Sequence, residues 1–320
     1  MGCSGEHSVL LLHADGVQPY KNLAVETYLL ENLHPHIHAL YLWQNDNTVV
    51  VGVNQNAFAE VSPSFDGYVT RRLSGGGAVY HDAGNLNFTF VSVKDCYSVD
   101  NNKRIIYNAL RGLGFDAEFT GRNDVVIDGK KISGQAYCLR KNACYHHGTI
   151  LINSNVERIQ AALRPPKQKL ESKGVASVAS RVGNLVDWNP DITVEQVRDA
   201  VAKAFLEFYA DYKVYTERVD YTNPKLLAIA DKLASKEWIW GRNPMLTNKV
   251  EHRFEWGTVS VEYEIKGNRL VDIAIYTDAM NTDWCNSLKT KLLQTPVNEW
   301  NTMRFDLQEE KDVMELMYDV

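Results

Sequence analysis

The sequence predicts an α+β protein of two unequal domains. Three observations carry that reading: helical and strand periodicities are interleaved over residues 1–246, a tryptophan-rich stretch around Gly241, Asn243 and Pro244 marks a change of chain direction, and residues 247–320 read as one hairpin and two helices. The expected boundary falls near Thr247, giving a large domain over 1–246 and a small α+β domain over 247–320. At 320 residues the chain can bury a large core, and its hydrophobic fraction of 45% and charged fraction of 23% exclude a disordered chain. A net charge of −6 gives no global attraction for nucleic acid or a membrane surface. Five cysteines without a CxxC pair suggest neither a disulfide framework nor a zinc site. No apolar run approaches membrane length, so the expected compartment is the cytoplasm and the expected state a monomer.

Along the chain, Val25, Leu29 and Leu33, at steps of four, predict a helix over 22–33 with Asn22 as its N-cap. YLWQ and TVVVGV read as two strands of a meander around Asn45, Asp46 and Asn47, with Trp43 in or near a pocket. Leu86, Phe88 and Phe90 alternate with Asn87 and Thr89, the period of a half-buried strand. Ile105, Ile106, Ala109, Leu110 and Leu113 share one face of a helix over 102–113, which Gly114 stops. A short helix near 156–163 precedes a Lys- and Ser-rich segment, 167–181, expected to be a mobile loop that orders on ligand binding. Thr193 and Gln196 form a capping box for a helix carrying Val194, Val197, Val201, Phe205 and Phe208 in one stripe. Beyond the boundary, Gly267-Asn268 turns a hairpin, and helices are expected near 284–294 and 309–317.

Residues 70–90, TRRLSGGGAVYHDAGNLNFTF, hold the most pointed chemistry. Three adjacent glycines allow positive φ and bring bare backbone N–H groups close to an anion, and Arg71 and Arg72 stand beside them as bidentate donors. On the loop alone, a ligand cradle and a structural glycine turn are equal readings. A P-loop is excluded because Ala78 and Val79 follow Gly77, and the dinucleotide fingerprint because Tyr80 stands where its third glycine belongs. Asp128-Gly129 is a two-residue hairpin turn. If Ile127 pairs with Lys130, Val126 opposes Lys131 and Asp124 opposes Ser133, which places Asp124, Val126, Lys131 and Ser133 on one face. Asp124 and Lys131 are then diagonal neighbours, either a solvated pair or a carboxylate and an ammonium set against a nucleotide. Further on, YHHGTILIN is a strand with His147 and Thr149 on one face and Ile150 and Ile152 on the other.

Together, RRLSGGGAVYHDAGN, GRNDVVIDGKKISGQA, HHGTILIN and KLESKGVASVASRVGNL, preceded by NLAVE, resemble the lipoate-protein ligase A family, and the closing domain resembles the accessory domain of its long bacterial members. The resemblance implies a biotin/lipoate ligase fold, a mixed β-sheet flanked by helices, and a two-step reaction. ATP and lipoate give lipoyl-AMP and pyrophosphate, and the lipoyl group then passes to a lysine of a lipoyl domain, on the E2 subunit of a 2-oxoacid dehydrogenase or on the glycine cleavage H protein. It implies ATP and Mg²⁺ as cofactors. Lys131 becomes the catalytic residue and Asp124 the metal ligand. Arg72, Gly75, Gly76, Gly77, Ala78, Val79, Tyr80 and Asn85 from the first motif, Asp124, Lys131, Ser133 and Gly134 from the second, and His147 and Thr149 from the third become the binding residues. Three alternatives stay open. One is an octanoyltransferase acting through Cys138 or Cys144, the second is a lipoyltransferase that accepts the adenylate without making it, and the third is a binding module that sequesters lipoate or a nucleotide without chemistry.

Overall fold

An eight-stranded mixed sheet organises the larger domain of the computed structural model, which describes residues 7–121, 123–164, 181–241 and 246–318. Its strands are β1 (Ser8–His13), β2 (Ile37–Trp43), β6 (Asn85–Val93), β7 (Glu118–Thr120), β8 (Asp124–Ile127), β9 (Lys130–Leu139), β10 (Ala143–Leu151) and β11 (Lys213–Arg218), in the spatial order β11-β1-β2-β6-β10-β9-β8-β7. β1 runs parallel to β2 and β11, and the other pairings are antiparallel. A second sheet joins β3 (Thr48–Val51), β4 (Tyr68–Arg71) and β5 (Val79–His81). The three glycines connect β4 to β5.

Helices cover both faces of the large sheet. On one side α3 (Val99–Gly112) and α5 (Val194–Phe208) pack on Leu86, Phe88, Phe90, Ile150 and Ile152. On the other, α1 (Pro19–Asn32) and α6 (Pro224–Ala234) pack on Tyr41, Trp43, Val91 and Tyr145. Short helices α2 (Ala57–Glu60), α4 (Val156–Ala162) and α7 (Lys236–Trp240) border the smaller sheet. The closing domain is a sheet of β12 (Asn248–Phe254), β13 (Gly257–Lys266) and β14 (Arg269–Thr277). It is covered by α8 (Asp283–Gln294) and α9 (Gln308–Tyr318) around Trp284, Leu288 and Val313.

Local signals account for most boundaries. Ser98 caps α3, and Gly114 follows its end with φ +87°. Thr193 and Gln196 make the expected capping box of α5. Asp128 and Gly129 (φ +49° and +75°) form the β8–β9 turn, and Gly267 (φ +61°) lies in the β13–β14 turn.

Several expectations are corrected. Asn22 is not an N-cap but a fully buried residue inside α1, which starts three residues earlier at Pro19 under a Gln18 cap; proline at the first helical position sets that start. TVVV does not continue a meander from β2, because it leaves the large sheet to pair with β4 and β5. β6 is buried on both faces, since helices lie on both sides, and its polar residues Asn87 and Thr89 face α1. Cys96 is disulfide-bonded, a pairing that linear spacing could not show. All but the last residue of the expected mobile loop, 167–181, lies outside the described residues, as do 1–6 and 242–245.

Candidate active site

Where α1 crosses β6 and β10, the glycine loop and the β8–β9 hairpin enclose a cavity of about 140 Å³. Its walls bring together Arg72, Gly76, Gly77, Ala78, Val79, Lys131, Gly134, His147 and Thr149 from the residues the sequence singled out. Trp43 lies there too, as the pocket residue expected of it.

The two arginines serve as internal scaffolding. Arg71 donates to the carbonyls of Gly52, Val53, Gln55, Trp238 and Ile239, so it clamps the end of α7 to the 52–55 turn and has no ligand face. Arg72 holds the glycine loop itself. Its Nη2 donates to Gly75 O (2.6 Å) and Gly77 O (2.8 Å), Nη1 to Val50 O (3.1 Å) and Nε to Ser74 Oγ (3.0 Å). A buried cation with no contacting carboxylate among the described residues is tolerable because these oxygens replace its hydration, and burial pushes the guanidinium down to about 10. The C=O and N–H of a trans peptide point opposite ways. Drawing Gly77 O onto Arg72 therefore turns the Ala78 N–H away from it, and Ala78 lines the cavity.

A hydrogen-bonded chain braces the wall behind the loop. His147 Nδ1 lies 2.8 Å from Glu26 Oε1 on α1, and its Nε2 lies 2.8 Å from Ser74 Oγ. Glu26 also accepts from Thr89, which in turn accepts from Trp43 Nε1. Each of these polar groups is buried and each is satisfied, which fixes His147 in position.

On the opposite wall Lys131 Nζ lies 2.7 Å from Asp124 Oδ1, and both side chains are a little over one-third exposed. The pairing that places them differs from expectation. Ile127 opposes Lys130 and Val126 opposes Lys131, but a β-bulge follows, so Val125 opposes Ser133 and Asp124 opposes Gly134. The extra residue turns Ser133 into the interior, fully buried, and gives its place beside Lys131 to Gly134. A Cβ at Gly134 would lie 3.1 Å from Lys131 Nζ, so the glycine leaves room for the ammonium.

Four further sequence candidates stand away from the cavity wall. Gly75 is pressed against the closing domain, where a Cβ would meet Ala279 O at 2.3 Å, and the Tyr80 ring packs in the core of the smaller sheet. Asn85 is buried and donates to Asn87 Oδ1, and it is Asn87 that reaches the cavity. Asp124 reaches it only through Lys131. Cys138 and Cys144 are buried and line no part of it, and burial pushes the Cys138 thiol up to about 11. The thioester alternative therefore has no nucleophile there.

Sequence reasoning missed Glu26, His81 and Met280. Glu26 stood inside the NLAVE motif, and His81 shares a face with Val79 by strand alternation, so both carried a signal. Met280 carried none. It arrives from the closing domain, whose Ala279 O accepts from Gly76 N and whose Thr277 N donates to Asn54 O.

Known proteins resemble this chain in sequence and fold. Residues 18–206 match the lipoyl protein ligase A/B catalytic domain, and residues 243–303 match the bacterial lipoate protein ligase C-terminus. The chain belongs to the lipoate-protein ligase A family. A lipoate-protein ligase A of Psychrobacter cryohalolentis is 39% identical over 294 residues, 88% of this chain and 87% of that protein. Among solved structures, P. falciparum LipL1 in complex with lipoate superposes with a TM-score of 0.84 at 26% identity, covering 98% of this chain and all of that one. A lipoate-protein ligase A bound with ATP gives 0.61 at 26% identity over 74% of this chain and 99% of that one. A Thermoplasma acidophilum bipartite ligase described with its E2 lipoyl domain gives 0.64 at 28% over 76% of this chain and all of that one. The lipoate/biotin ligase-like fold expected of the sequence is therefore the fold of this chain, and the chain is a ligase. Among the described residues no helix is long and apolar enough to cross a membrane.

Proposed function

We propose that the chain activates lipoate with ATP at this cavity and then transfers the lipoyl group from lipoyl-AMP to a lysine of a lipoyl domain. The observation that carries the reading is the Lys131 ammonium facing the glycine loop across one cavity. In the first step a carboxylate attacks the α-phosphorus and pyrophosphate leaves, so two anions must be held together while charge builds on the phosphate oxygens. A fixed ammonium answers both demands, and the Ala78 amide, oriented by the hold of Arg72 on Gly77 O, adds a donor that needs no reorganisation. In the second step the acceptor amine attacks the acyl carbon and AMP leaves. Charge then builds on the carbonyl oxygen, within the compass of the same Lys131. The apolar tail of lipoate would lie along Leu23, Trp43 and Val50.

The residues present fit Mg²⁺, which takes one or two carboxylates and completes its shell with water and phosphate oxygens. Asp124 would hold it beside Asn123, and bound there it would neutralise phosphate charge. The acceptors we expect are lipoyl domains of 2-oxoacid dehydrogenase E2 subunits and the glycine cleavage H protein.

Pyrophosphate release from ATP, Mg²⁺ and lipoate, without an acceptor protein, tests the reading. Release by the parent and its loss in Lys131→Ala would support it. A parent that releases none yet lipoylates a lipoyl domain from supplied lipoyl-AMP would be a transferase.

A further inference from the structure

His81 stands on the cavity wall and has no part in the chemistry above. The residue is 3% exposed, and among the described residues its Nε2 has no hydrogen-bond partner. The protonation pattern of that ring can be followed from backbone groups outward. The Asn22 side chain faces the carbonyls of Gly16 (3.0 Å) and Gln44 (2.8 Å), which accept only, so its nitrogen must point at them and its oxygen at the hydroxyls of Tyr41 and Tyr221. The same nitrogen, which accepts nothing, lies 3.1 Å from Asn45, so the Asn45 atom there is its oxygen, sharing one of the two hydrogens with a carbonyl. The other end of that amide, an NH₂, then lies 3.3 Å from His81 Nδ1, which must accept. A neutral imidazole whose Nδ1 accepts carries its hydrogen on Nε2.

The ring is neutral, because burial, with Arg72 and His147 nearby, pushes it down to about 3. Its Nε2–H is therefore a buried donor without an acceptor among the described residues, at the edge of a ligand cavity. Such groups are rare in native proteins and call for a partner.

We infer that His81 is a neutral hydrogen-bond donor to an oxygen of the bound ligand, and that Asn45 is the positioning residue that sets its tautomer. The inference rests on the proposed reading for the ligand's identity: the oxygen belongs to the lipoyl carboxylate or to a phosphate of the nucleotide. No charge needs to move when the donor is met, and a neutral N–H tolerates the apolar neighbours Trp43 and Val79 that would disfavour a cation.

The test is histidine ¹⁵N NMR of the full chain, with His81 assigned by its loss in His81→Gln. The ligand-free parent is expected to show the Nε2–H tautomer. Lipoate alone and ATP alone are then added. A shift of the Nε2–H resonance with lipoate assigns the partner to the carboxylate, and a shift with ATP assigns it to a phosphate. Silence to both, or an Nδ1–H tautomer in the parent, overturns the inference.

Asn45→Asp supplies an acceptor where the amide supplied a donor, and should move the hydrogen to Nδ1. The affinity for whichever ligand shifts the resonance should fall by roughly 10- to 100-fold, the scale for facing an acceptor with a lone pair. An unchanged affinity in a variant whose tautomer has switched would also overturn it. Should that variant fail to fold, the parent titration still decides. Because the spectra read binding and not turnover, a parent that binds but releases no pyrophosphate would defeat the proposed function and leave this inference standing.

Discussion

Replacing Lys131 with alanine separates catalysis from stability. In the ground state the ammonium contributes little, because its pair with Asp124 is about 40% and 37% exposed and solvent screens it. An exposed pair is worth at most about 1 kcal/mol, which in a protein of 320 residues moves the melting temperature by only about 1–2 °C. At the transition state the same charge faces oxygens inside a cavity. At about 4 Å and an effective dielectric near 20, one charge pair is worth up to about 4 kcal/mol, and removing a preorganised donor typically costs about 10²- to 10³-fold in rate. Single-turnover pyrophosphate release with saturating ATP and lipoate measures the first step, and lipoylation from supplied lipoyl-AMP measures the second. Both should fall by at least about 10²-fold while the melting curve barely moves. A variant whose first step stays within about threefold of the parent would refute the assignment, since that difference is under 1 kcal/mol. A large fall in melting temperature would show instead that Lys131 is a structural residue.

Other substitutions probe the parts around it. Gly134→Ala places a methyl group 3.1 Å from Lys131 Nζ, and displacing the ammonium should slow pyrophosphate release by about 10-fold or more with little change in circular dichroism melting. Gly75→Ala meets the backbone of Ala279 and Met280, so it should cost about 1–3 kcal/mol and loosen the closing domain, read as faster limited proteolysis between the domains. Cys138→Ala and Cys144→Ala should keep the adenylation rate, and loss of activity in either would revive a thioester route. Glu60 gives a pH signature. Burial, with Asp278 of the closing domain facing it, raises its carboxyl to about 7 from 4.5, so the folded chain binds a proton that the unfolded chain has released between those values. Its contribution to stability is full below about 4.5 and falls as the pH rises towards 7. Glu60→Gln should flatten that slope in melting temperature.

The range of an interaction along the chain decides whether the sequence shows or hides it. Signals within a few residues were legible: the Ser98 and Thr193 caps, Gly114, and the Asp128-Gly129 and Gly267 turns sit where one residue's φ or one side-chain oxygen decides the conformation. The alternation in β6 was read correctly, but its polar face was assigned to solvent, because no period reveals that α1 lies over Asn87 and Thr89. Arg71 and Arg72 looked alike in sequence as anion donors. Only their acceptors distinguish them: Arg71 binds the end of α7, more than 160 residues away, while Arg72 binds the loop just after it.

The bulge in the β8–β9 hairpin shows why one such miss matters for function. A strict alternation from the turn would place Ser133 beside Lys131, and its side chain would occupy the volume into which the ammonium now extends. Inserting Ile132 as the unpaired residue buries an apolar side chain in the core and brings in a glycine at the same point. The KISG tetrapeptide therefore works as a unit: lysine for charge, isoleucine to anchor the bulge, serine turned inward, glycine for clearance. Inserting one alanine between Val125 and Val126 would give Ile132 a partner, restore regular pairing and turn Ser133 outward beside Lys131. Such a variant should keep the hairpin yet lose pyrophosphate release to about the extent of Lys131→Ala, whereas a variant that kept its activity would show that the position of Lys131 does not depend on the bulge.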